Sequence, residues 1–205
     1  MEICFNTKKE NKMEKGALED RFVYSEVKSL IEKYKIDTII ETGTYHGWSA
    51  KKFADFGLPV YTIEVNPDFL KKAKEFTNGT KNIFHYFGSS PQMLDEIFEE
   101  RKLGNVLIFL DAHWGEYWPI HDEISTLQSH GVKPVILIHD FYVPDENGKA
   151  KFGYDVYKGQ PLDYHFVKSS INDLYGGENN YRHYCIQQAE VNSGVGVFVP
   201  KKDDE

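Results

Sequence analysis

The feature that most constrains the fold is the stretch 36–66, where two short apolar runs flank a glycine-containing turn and a helix-like segment. The first run ends on Glu41, the turn holds Gly43 and Gly47, and the second run ends on Glu64. Glycines let the backbone approach a ligand closely, and the start of a helix offers free N–H groups. The stretch therefore predicts a strand–turn–helix–strand unit that binds a nucleotide-like ligand.

The rest of the chain repeats this alternation of strand-like and helix-like segments. Predicted strands are Ile36–Glu41, Val60–Glu64, Ile83–Phe87, Val106–Leu110, Val135–Ile138, Tyr181–Ala189 and Val195–Val199. Predicted helices cover Leu18–Tyr34, Gly47–Phe56, Pro67 to about Gly79, Asp163–Tyr175, a segment capped by Ser89 or Ser90, and one opened by Pro119. This order predicts an α/β protein with a single doubly wound, mostly parallel sheet. The segment 140–161 has no clear period.

Size and charge limit the function classes. A chain of 205 residues is long enough for one domain and too short for two full ones, and we expect a polar tail at 1–16 before a domain at 17–205. The formal net charge is −8, and no run of Lys or Arg exceeds two residues, which argues against a nucleic-acid-binding face. Two cysteines and no membrane-length apolar stretch favour a cytoplasmic protein with no membrane partner. A homodimer is left open.

The two acids at the strand ends indicate which ligand the first unit binds. Glu64 is placed to accept hydrogen bonds from both hydroxyls of a ribose. Glu41 lies where a dinucleotide would bring its pyrophosphate, and like charges there are unfavourable. The spacing E-x-G-x-x-x-G also differs from G-x-G-x-x-G, which disfavours an NAD-linked dehydrogenase. A ligand with a cationic centre, an amino group and a ribose fits better, and S-adenosyl-L-methionine has all three.

Polar residues follow the other predicted strands as well. The Gly88–Ser90 turn, Asp111, and the pair His139 and Asp140 each end a strand. Ligands of doubly wound sheets sit outside the carboxyl ends of the strands. The sequence therefore predicts one binding site along this rim.

Five blocks of sequence carry a family resemblance: ETGTYHGWSA (41–50), EVNPDFLKKA (64–73), FGSSPQML (87–94), FLDAHWGEYWP (109–119) and LIHDF (137–141). From about Leu18 onward the chain resembles the class I S-adenosylmethionine-dependent methyltransferases, most closely the small metal-dependent O-methyltransferases of the catechol type. The resemblance implies a seven-stranded sheet closed by an antiparallel hairpin. It also implies O-methylation of a small hydroxylated acceptor such as a sugar, a natural product or a small metabolite.

The resemblance also implies a cofactor site. Gly43, Tyr45 and Ser49 match positions around the methionine part of the cofactor, Glu64 matches the ribose acid, and Ser90 a serine near the adenine. With the strand ends included, the predicted cofactor-binding residues are Glu41, Gly43, Tyr45, Gly47, Ser49, Glu64, Ser89, Ser90, Asp111 and His113.

A divalent metal is implied beside the cofactor. Asp111 and Asp140 match the carboxylates that hold Mg²⁺ in the relatives, but the third ligand, an asparagine, is replaced by Phe141. His139 can compensate, and an imidazole shifts the preference toward Mn²⁺, Fe²⁺ or Zn²⁺. The predicted metal ligands are therefore Asp111, His139 and Asp140, with Mg²⁺ or another divalent ion.

The catalytic base and the acceptor site are predicted less directly. The lysine that follows the tryptophan in the relatives is absent, so His113 is the first candidate for the base, and Asp111 is the other predicted catalytic residue. A role of His113 in the cofactor pocket is equally open. Flat aromatic walls suit a sugar or aromatic acceptor, and the candidates are Trp114, Tyr117, Trp118, Phe141 and Tyr142.

Two other functions fit the same residues. One is a metal-dependent hydrolase or hydroxylase-like protein on this fold, in which His113, His139, Asp111 and Asp140 hold a catalytic ion. The other is a nucleotide-binding module without catalysis. Sugars, sugar nucleotides, phenols and small phosphorylated metabolites all remain candidate acceptors.

Overall fold

A computed structural model describes residues 16–113 and 116–201 of the chain. The predicted tail, apart from Gly16, and the candidate acceptor residue Trp114 lie outside the described residues. The strands are β1 (Thr38–Thr42), β2 (Val60–Glu64), β3 (Ile83–Phe87), β4 (Val106–Leu110), β5 (Val135–His139), β6 (Val156–Tyr157), β7 (Gln160–Pro161), β8 (Tyr181–Cys185) and β9 (Val195–Pro200). The α-helices are α1 (Arg21–Tyr34), α2 (Trp48–Ala54), α3 (Pro67–Phe76), α4 (Ser90–Glu100), α5 (Ile120–Ser129) and α6 (Tyr164–Tyr175), and short 3₁₀ helices lie at Ala17–Glu19 and Glu178–Asn180.

Seven strands form one sheet in the order β3-β2-β1-β4-β5-β9-β8. The strands β1 to β5 are parallel to one another, whereas β9 runs antiparallel to both β5 and β8. The switch in strand order falls between β1 and β4, so the carboxyl ends of β1, β2, β4 and β5 meet at one rim. The predicted doubly wound, mostly parallel sheet with a closing antiparallel hairpin is confirmed.

Both faces of the sheet are covered. In β4, Leu107 and Phe109 face a layer that includes α1 and α2, whereas Ile108 and Leu110 face a layer that includes α4, α5 and α6. All four side chains are fully buried. Such a strand, apolar at every position, is expected for the centre of a parallel sheet.

The first helix begins three residues later than predicted because Asp20 caps it. The Asp20 Oδ1 atom accepts hydrogen bonds from the backbone N–H groups of Phe22 (2.9 Å) and Val23 (3.4 Å). The Asp20 Oδ2 atom accepts from the N–H groups of Glu190 and Val191, in the segment that joins β8 to β9. This fully buried carboxylate therefore ties the first helix to the C-terminal hairpin.

Other details of the prediction also differ from the structure. The strand β8 ends at Cys185 rather than Ala189, because the following residues turn back toward Asp20. Helix α4 begins at Ser90 with Ser89 at the N-cap position, but the Ser89 side chain makes no capping hydrogen bond. The aperiodic segment 140–161 contains the small antiparallel pair β6 and β7.

In the described part of the chain, no helix combines the length and the apolar character that crossing a membrane requires.

Candidate functional site

Glu64 anchors the first part of the rim. Its Oε2 atom accepts a hydrogen bond from the backbone N–H of Tyr45 (2.7 Å), and its Oε1 atom accepts one from that of Asn66 (2.8 Å). The residue is 6% exposed. Each carboxylate oxygen can accept more than one hydrogen bond, so both keep capacity for a ligand hydroxyl. The turn after β1 is thereby held against the end of β2.

The glycine turn packs directly onto the end of β4. Gly43 has a φ of 84°, and a Cβ atom placed on it would lie 2.2 Å from the backbone oxygen of Asp111. Gly47 forms the left-handed N-cap of α2, with a φ of 82°. Only glycine permits the close approach of residue 43 to the Asp111 backbone. The predicted cofactor turn and the predicted metal residue Asp111 are therefore direct neighbours.

Glu41 lies beneath this turn rather than lining it. It is 1% exposed, and its Oε2 atom accepts a hydrogen bond from the Thr62 hydroxyl at 2.6 Å. Burial raises the pKa of Glu41 to about 8, which the Thr62 hydrogen bond opposes and the charges of Asp111 and Glu64 reinforce. Glu41 is therefore largely neutral at pH 7. The sequence predicted that Glu41 and Glu64 would both line the pocket as charged acids. For Glu41 this prediction is wrong, because its side chain points into the interior.

The serines of the predicted cofactor site are also buried. Ser49 is 8% exposed and Ser90 6%. Ser90 faces Glu123, an acid on α5 that the sequence analysis did not single out. Burial raises the pKa of Glu123 to about 7, against the opposing effect of the Ser90 and Thr42 hydroxyls. Its signal in the sequence was an acid between Ile120 and Ile124 on the apolar face of a helix.

Five titratable residues gather at the ends of β4 and β5, and we call them the carboxylate–histidine cluster: Asp111, His113, His139, Asp140 and Asp155. The His139 Nδ1 atom lies 3.1 Å from Asp111 Oδ1 and 3.4 Å from Asp140 Oδ2. The His113 Nε2 atom lies 3.5 Å from Asp155 Oδ2. Four of these residues were predicted from the strand ends and the β4 motif, and the structure brings them together.

The fifth member, Asp155, comes from the segment that precedes β6. Its backbone N–H donates to the backbone carbonyl oxygen of Asp140 at 2.9 Å, and its own backbone carbonyl oxygen accepts from the N–H of Leu162 at 2.9 Å. Asp155 was not predicted from the sequence, because the segment 140–161 has no periodic pattern that would place its residues. The only signal was an acid inside a long, aromatic-rich connection.

Ser193, from the segment joining β8 to β9, supports the cluster and was also missed. Its hydroxyl lies 2.9 Å from His139 Nε2 and donates a short hydrogen bond to Asp140 Oδ1. The position is fixed by backbone bonds from the Gly194 N–H to the Gly153 oxygen and from the Phe141 N–H to the Gly194 oxygen, both 3.0 Å. The Nδ1 atom of His139 is therefore directed toward the carboxylates.

The two histidines of the cluster differ in protonation. Burial acts to lower the pKa of His139, but the charge and hydrogen bond of Asp111, with the charges of Asp140 and Asp155, raise it to about 9. Burial lowers the pKa of His113 despite the same carboxylates. One ring is thus a cation and the other is neutral near pH 7.

The donor atoms of the cluster fit a divalent metal. In the set Asp111, His139 and Asp140, one ligand atom from each residue lies within 4.8 Å of the other two. Carboxylate oxygens and an imidazole suit Mn²⁺, Fe²⁺ and Zn²⁺. The predicted ligand set is therefore compatible with an ion that replaces the proton on His139.

The predicted aromatic wall is partly present. The Trp118 ring lies 5.3 Å from that of His113 and stacks on Tyr157 at 4.8 Å. Tyr117 is 55% exposed, and Tyr142 is half-buried, with its hydroxyl donating to the Gly148 oxygen at 2.7 Å.

Phe141 is not part of this wall. Its ring is 1% exposed and lies 6.0 Å from the Phe198 ring, under the hairpin. The prediction that it lines the acceptor site is corrected, because its side chain points into the core.

The seven-stranded, mostly parallel sheet has the Rossmann-like architecture of class I methyltransferases. Neither a protein-family model nor a curated protein matches the sequence. Among solved structures, the chain is similar to an O-methyltransferase from Bacillus cereus in complex with SAH, at 17% identity and a TM-score of 0.56 over 85% of this chain and 79% of that one. It is also similar to the O-methyltransferase TomG from Streptomyces achromogenes, in complex with SAM, at 16% identity and a TM-score of 0.56 over 85% and 77% of the two chains.

A third similar structure is the N-terminal domain of EvdMO1, determined in the presence of SAH and D-fucose. Its identity is 17% and its TM-score 0.53, over 86% of this chain and 82% of that one. At these identities the comparisons show a shared fold, and the expected Rossmann-like methyltransferase architecture is confirmed.

Proposed function

We propose that the protein is an S-adenosylmethionine-dependent O-methyltransferase that acts on a small hydroxylated molecule with help from a divalent metal. The observation that carries the proposal is the contact between the two halves of the rim. A Cβ atom on Gly43 would lie 2.2 Å from the backbone oxygen of Asp111, so the turn around the cofactor contacts the segment that carries the metal-binding cluster. Methyl transfer needs donor and acceptor held side by side, and placement supplies much of the rate enhancement. The solved structures with the same fold that hold SAM or SAH support the choice of cofactor.

In this proposal Glu64 accepts the ribose hydroxyls. Gly43, Tyr45, Gly47 and Ser49 form the turn and the helix start around the methionine part. The serines at the start of α4, Ser89 and Ser90, lie on the adenine side. Asp111 faces both the cofactor turn and the cluster.

Asp111, His139 and Asp140 would hold the ion. A bound divalent metal would lower the pKa of the acceptor hydroxyl and fix its direction. Ser193 keeps the His139 ring oriented through its Nε2 atom. The role predicted for His113 as the base changes, because a ring that is 2% exposed is poorly placed to contact an acceptor directly. We therefore place His113 within the cluster.

A sugar hydroxyl is the first acceptor class to test. The half-buried Tyr157 ring, which stacks on the buried Trp118 beside the cluster, offers the kind of flat surface on which a sugar ring packs. The similar domain of EvdMO1 was determined with D-fucose present, which supports the same choice.

Calorimetry with S-adenosylmethionine tests the cofactor assignment. We expect Glu64→Ala to weaken binding at least tenfold, because the ribose hydroxyls lose their acceptor. Asp68→Ala is the matched control, since Asp68 is an exposed acid in the first turn of the next helix. Unchanged affinity in Glu64→Ala, or no binding by the wild type, would reject the proposal.

A metal-dependent hydrolase or hydroxylase-like protein is the second candidate. The cluster favours it, because two imidazoles and three carboxylates together suit a transition-metal ion. Such a protein would retain a tightly bound ion on purification and show no affinity for S-adenosylmethionine. Elemental analysis combined with the same calorimetry separates the two functions.

A further inference from the structure

The carboxylate–histidine cluster contains two ligand sets rather than one. Asp111, His139 and Asp140 form the set used above. His113, Asp140 and Asp155 form another, again with one ligand atom from each residue within 4.8 Å of the other two. Each set consists of one imidazole and one carboxylate of its own, and Asp140 belongs to both.

His113 provides an independent sign that the second set takes a ligand. The residue is 2% exposed, and its Nε2 atom makes no hydrogen bond within residues 16–113 and 116–201. The nearest carboxylate oxygen, on Asp155, is 3.5 Å away. A buried polar atom without a partner is unfavourable and calls for an explanation. A cation between His113, Asp140 and Asp155 would satisfy it.

The charge of the cluster is compatible with two ions. Three carboxylates, on Asp111, Asp140 and Asp155, carry a charge of −3 when ionised. One divalent ion leaves −1 and two leave +1, because −3 plus 2 is −1 and −3 plus 4 is +1. A positively charged pair is the state that attracts an acceptor oxygen able to lose its proton. Paired metals in enzymes lie about 3.5–4 Å apart and can share a carboxylate.

We propose that His113, Asp140 and Asp155 form a second divalent-metal position beside the first, with the Asp140 carboxylate bridging the two ions. The inference rests on the metal site of the proposed function but needs neither the cofactor nor methyl transfer. A pair of ions would select acceptors with two neighbouring oxygens, such as a vicinal diol, because each oxygen would bind one ion.

The surrounding structure holds this second set in place. The backbone N–H of Asp155 donates to the backbone oxygen of Asp140 at 2.9 Å, and this bond keeps the two residues adjacent. The Trp118 ring packs edge-on against His113, with 5.3 Å between the ring centroids. The three ligands therefore come from separate segments whose positions are fixed by backbone bonds and ring packing.

Titration of metal-free protein with MnCl₂ tests the inference. Calorimetry should give two Mn²⁺ per wild-type chain, and electron paramagnetic resonance should show an exchange-coupled pair. Asp155→Asn should bind one ion and lose the coupled signal, and Asp111→Asn should do the same for the other position. Asp140→Asn should weaken both ions at least tenfold. Glu146→Gln, an exposed acid in the same segment as Asp155, is the control that should keep two.

His113→Gln provides a second route if Asp155→Asn fails to fold, and it should also bind one ion. A wild-type stoichiometry of one, or two ions retained in both Asp155→Asn and His113→Gln, would overturn the inference. S-adenosylmethionine affinity is measured on the same samples. Two Mn²⁺ without cofactor binding would reject the proposed methyltransferase and leave the second metal position standing.

Discussion

At the scale of single residues, the rim combines acids in different states. Glu64 is held by two backbone N–H groups and faces the cofactor turn, whereas Glu41 is enclosed and largely neutral. The neutral state matters because an ionised carboxylate buried without a cation would be strongly unfavourable. A cationic ligand bound above the turn would favour ionisation of Glu41, so binding of such a ligand should be linked to proton release.

Replacing Glu41 by glutamine should change how stability depends on pH. The pKa of Glu41 is about 8 in the folded protein and near 4.5 when unfolded, so its contribution is complete below pH 4.5 and is lost as the pH rises through 8. Glutamine resembles the protonated form and does not titrate. Glu41→Gln should therefore gain free energy of unfolding relative to wild type between pH 5 and pH 8, on the order of 4 kcal/mol at most.

Urea unfolding at several pH values measures this difference. Glu19→Gln, which alters an exposed acid, is the control and should run parallel to wild type. Parallel curves for Glu41→Gln and wild type would mean that Glu41 is ionised in the folded protein.

Residues at strand ends could be predicted from the sequence, and residues in loops could not. Glu64, Asp111 and Asp140 each directly follow or end a buried strand, and parallel strands bring their carboxyl ends to one rim. Asp155 and Ser193 reach the same place through backbone bonds between segments far apart in sequence, for which the chain carries no periodic signal. Glu41 was predicted to lie at the end of the first strand, but the sequence did not show that its side chain is buried and bonded to the Thr62 hydroxyl of the neighbouring strand.

At the scale of elements, the turn between β1 and α2 sets the distance between the two halves of the site. We expect Gly43→Ala to destabilise the protein by more than about 3 kcal/mol, since it adds overlap with the Asp111 oxygen to the strain of a positive φ. Mn²⁺ affinity should also fall, because the end of β4 must shift. Thermal unfolding and Mn²⁺ calorimetry measure the two effects.

Gly57→Ala is the matched control for this turn. Gly57 also has a positive φ, of 76°, but a Cβ atom on it would meet no atom within 4 Å among the described residues. It should lose only about 1 kcal/mol, with Mn²⁺ affinity unchanged. Equal effects of the two substitutions would show that the contact between Gly43 and Asp111 does not hold the site together.

Element positions were predicted well where the pattern itself fixes them. The strands Val60–Glu64, Ile83–Phe87 and Val106–Leu110 were predicted with the bounds that the structure has. The start of α1 and the end of β8 were not, because both depend on Asp20, whose partners lie at opposite ends of the chain. Local sequence propensity gives no information about a hydrogen bond between residues so far apart in the chain.

At the scale of the whole molecule, the closing hairpin holds a half-buried histidine. The His183 ring stacks on Phe198 at 4.5 Å and on Tyr164 at 4.8 Å. Burial lowers the pKa of His183 to about 4. The unfolded chain binds a proton near pH 6.5, so the folded state is weakened as the pH falls from 6.5 toward 4.

Substituting phenylalanine for His183 should therefore protect the protein in acid. The ring stacking is kept and the titration removed, so His183→Phe should be more stable than wild type at pH 4.5 by about 2 kcal/mol, relative to their difference at pH 7.5. Thermal unfolding at the two pH values measures this. The same substitution at the exposed His165 should leave the pH dependence as in wild type. Identical acid sensitivity of His183→Phe and wild type would contradict the assignment.

The carboxylate of Asp20 links the first helix to the segment that supports His139. It joins the opening turn of α1 to residues 170 positions further along the chain, within a few residues of the serine that steadies His139. Fraying of the first turn of α1 would therefore loosen the segment that carries Ser193 and orients the His139 ring. A molecule that binds the first helix would change the geometry of the carboxylate–histidine cluster without contacting the rim.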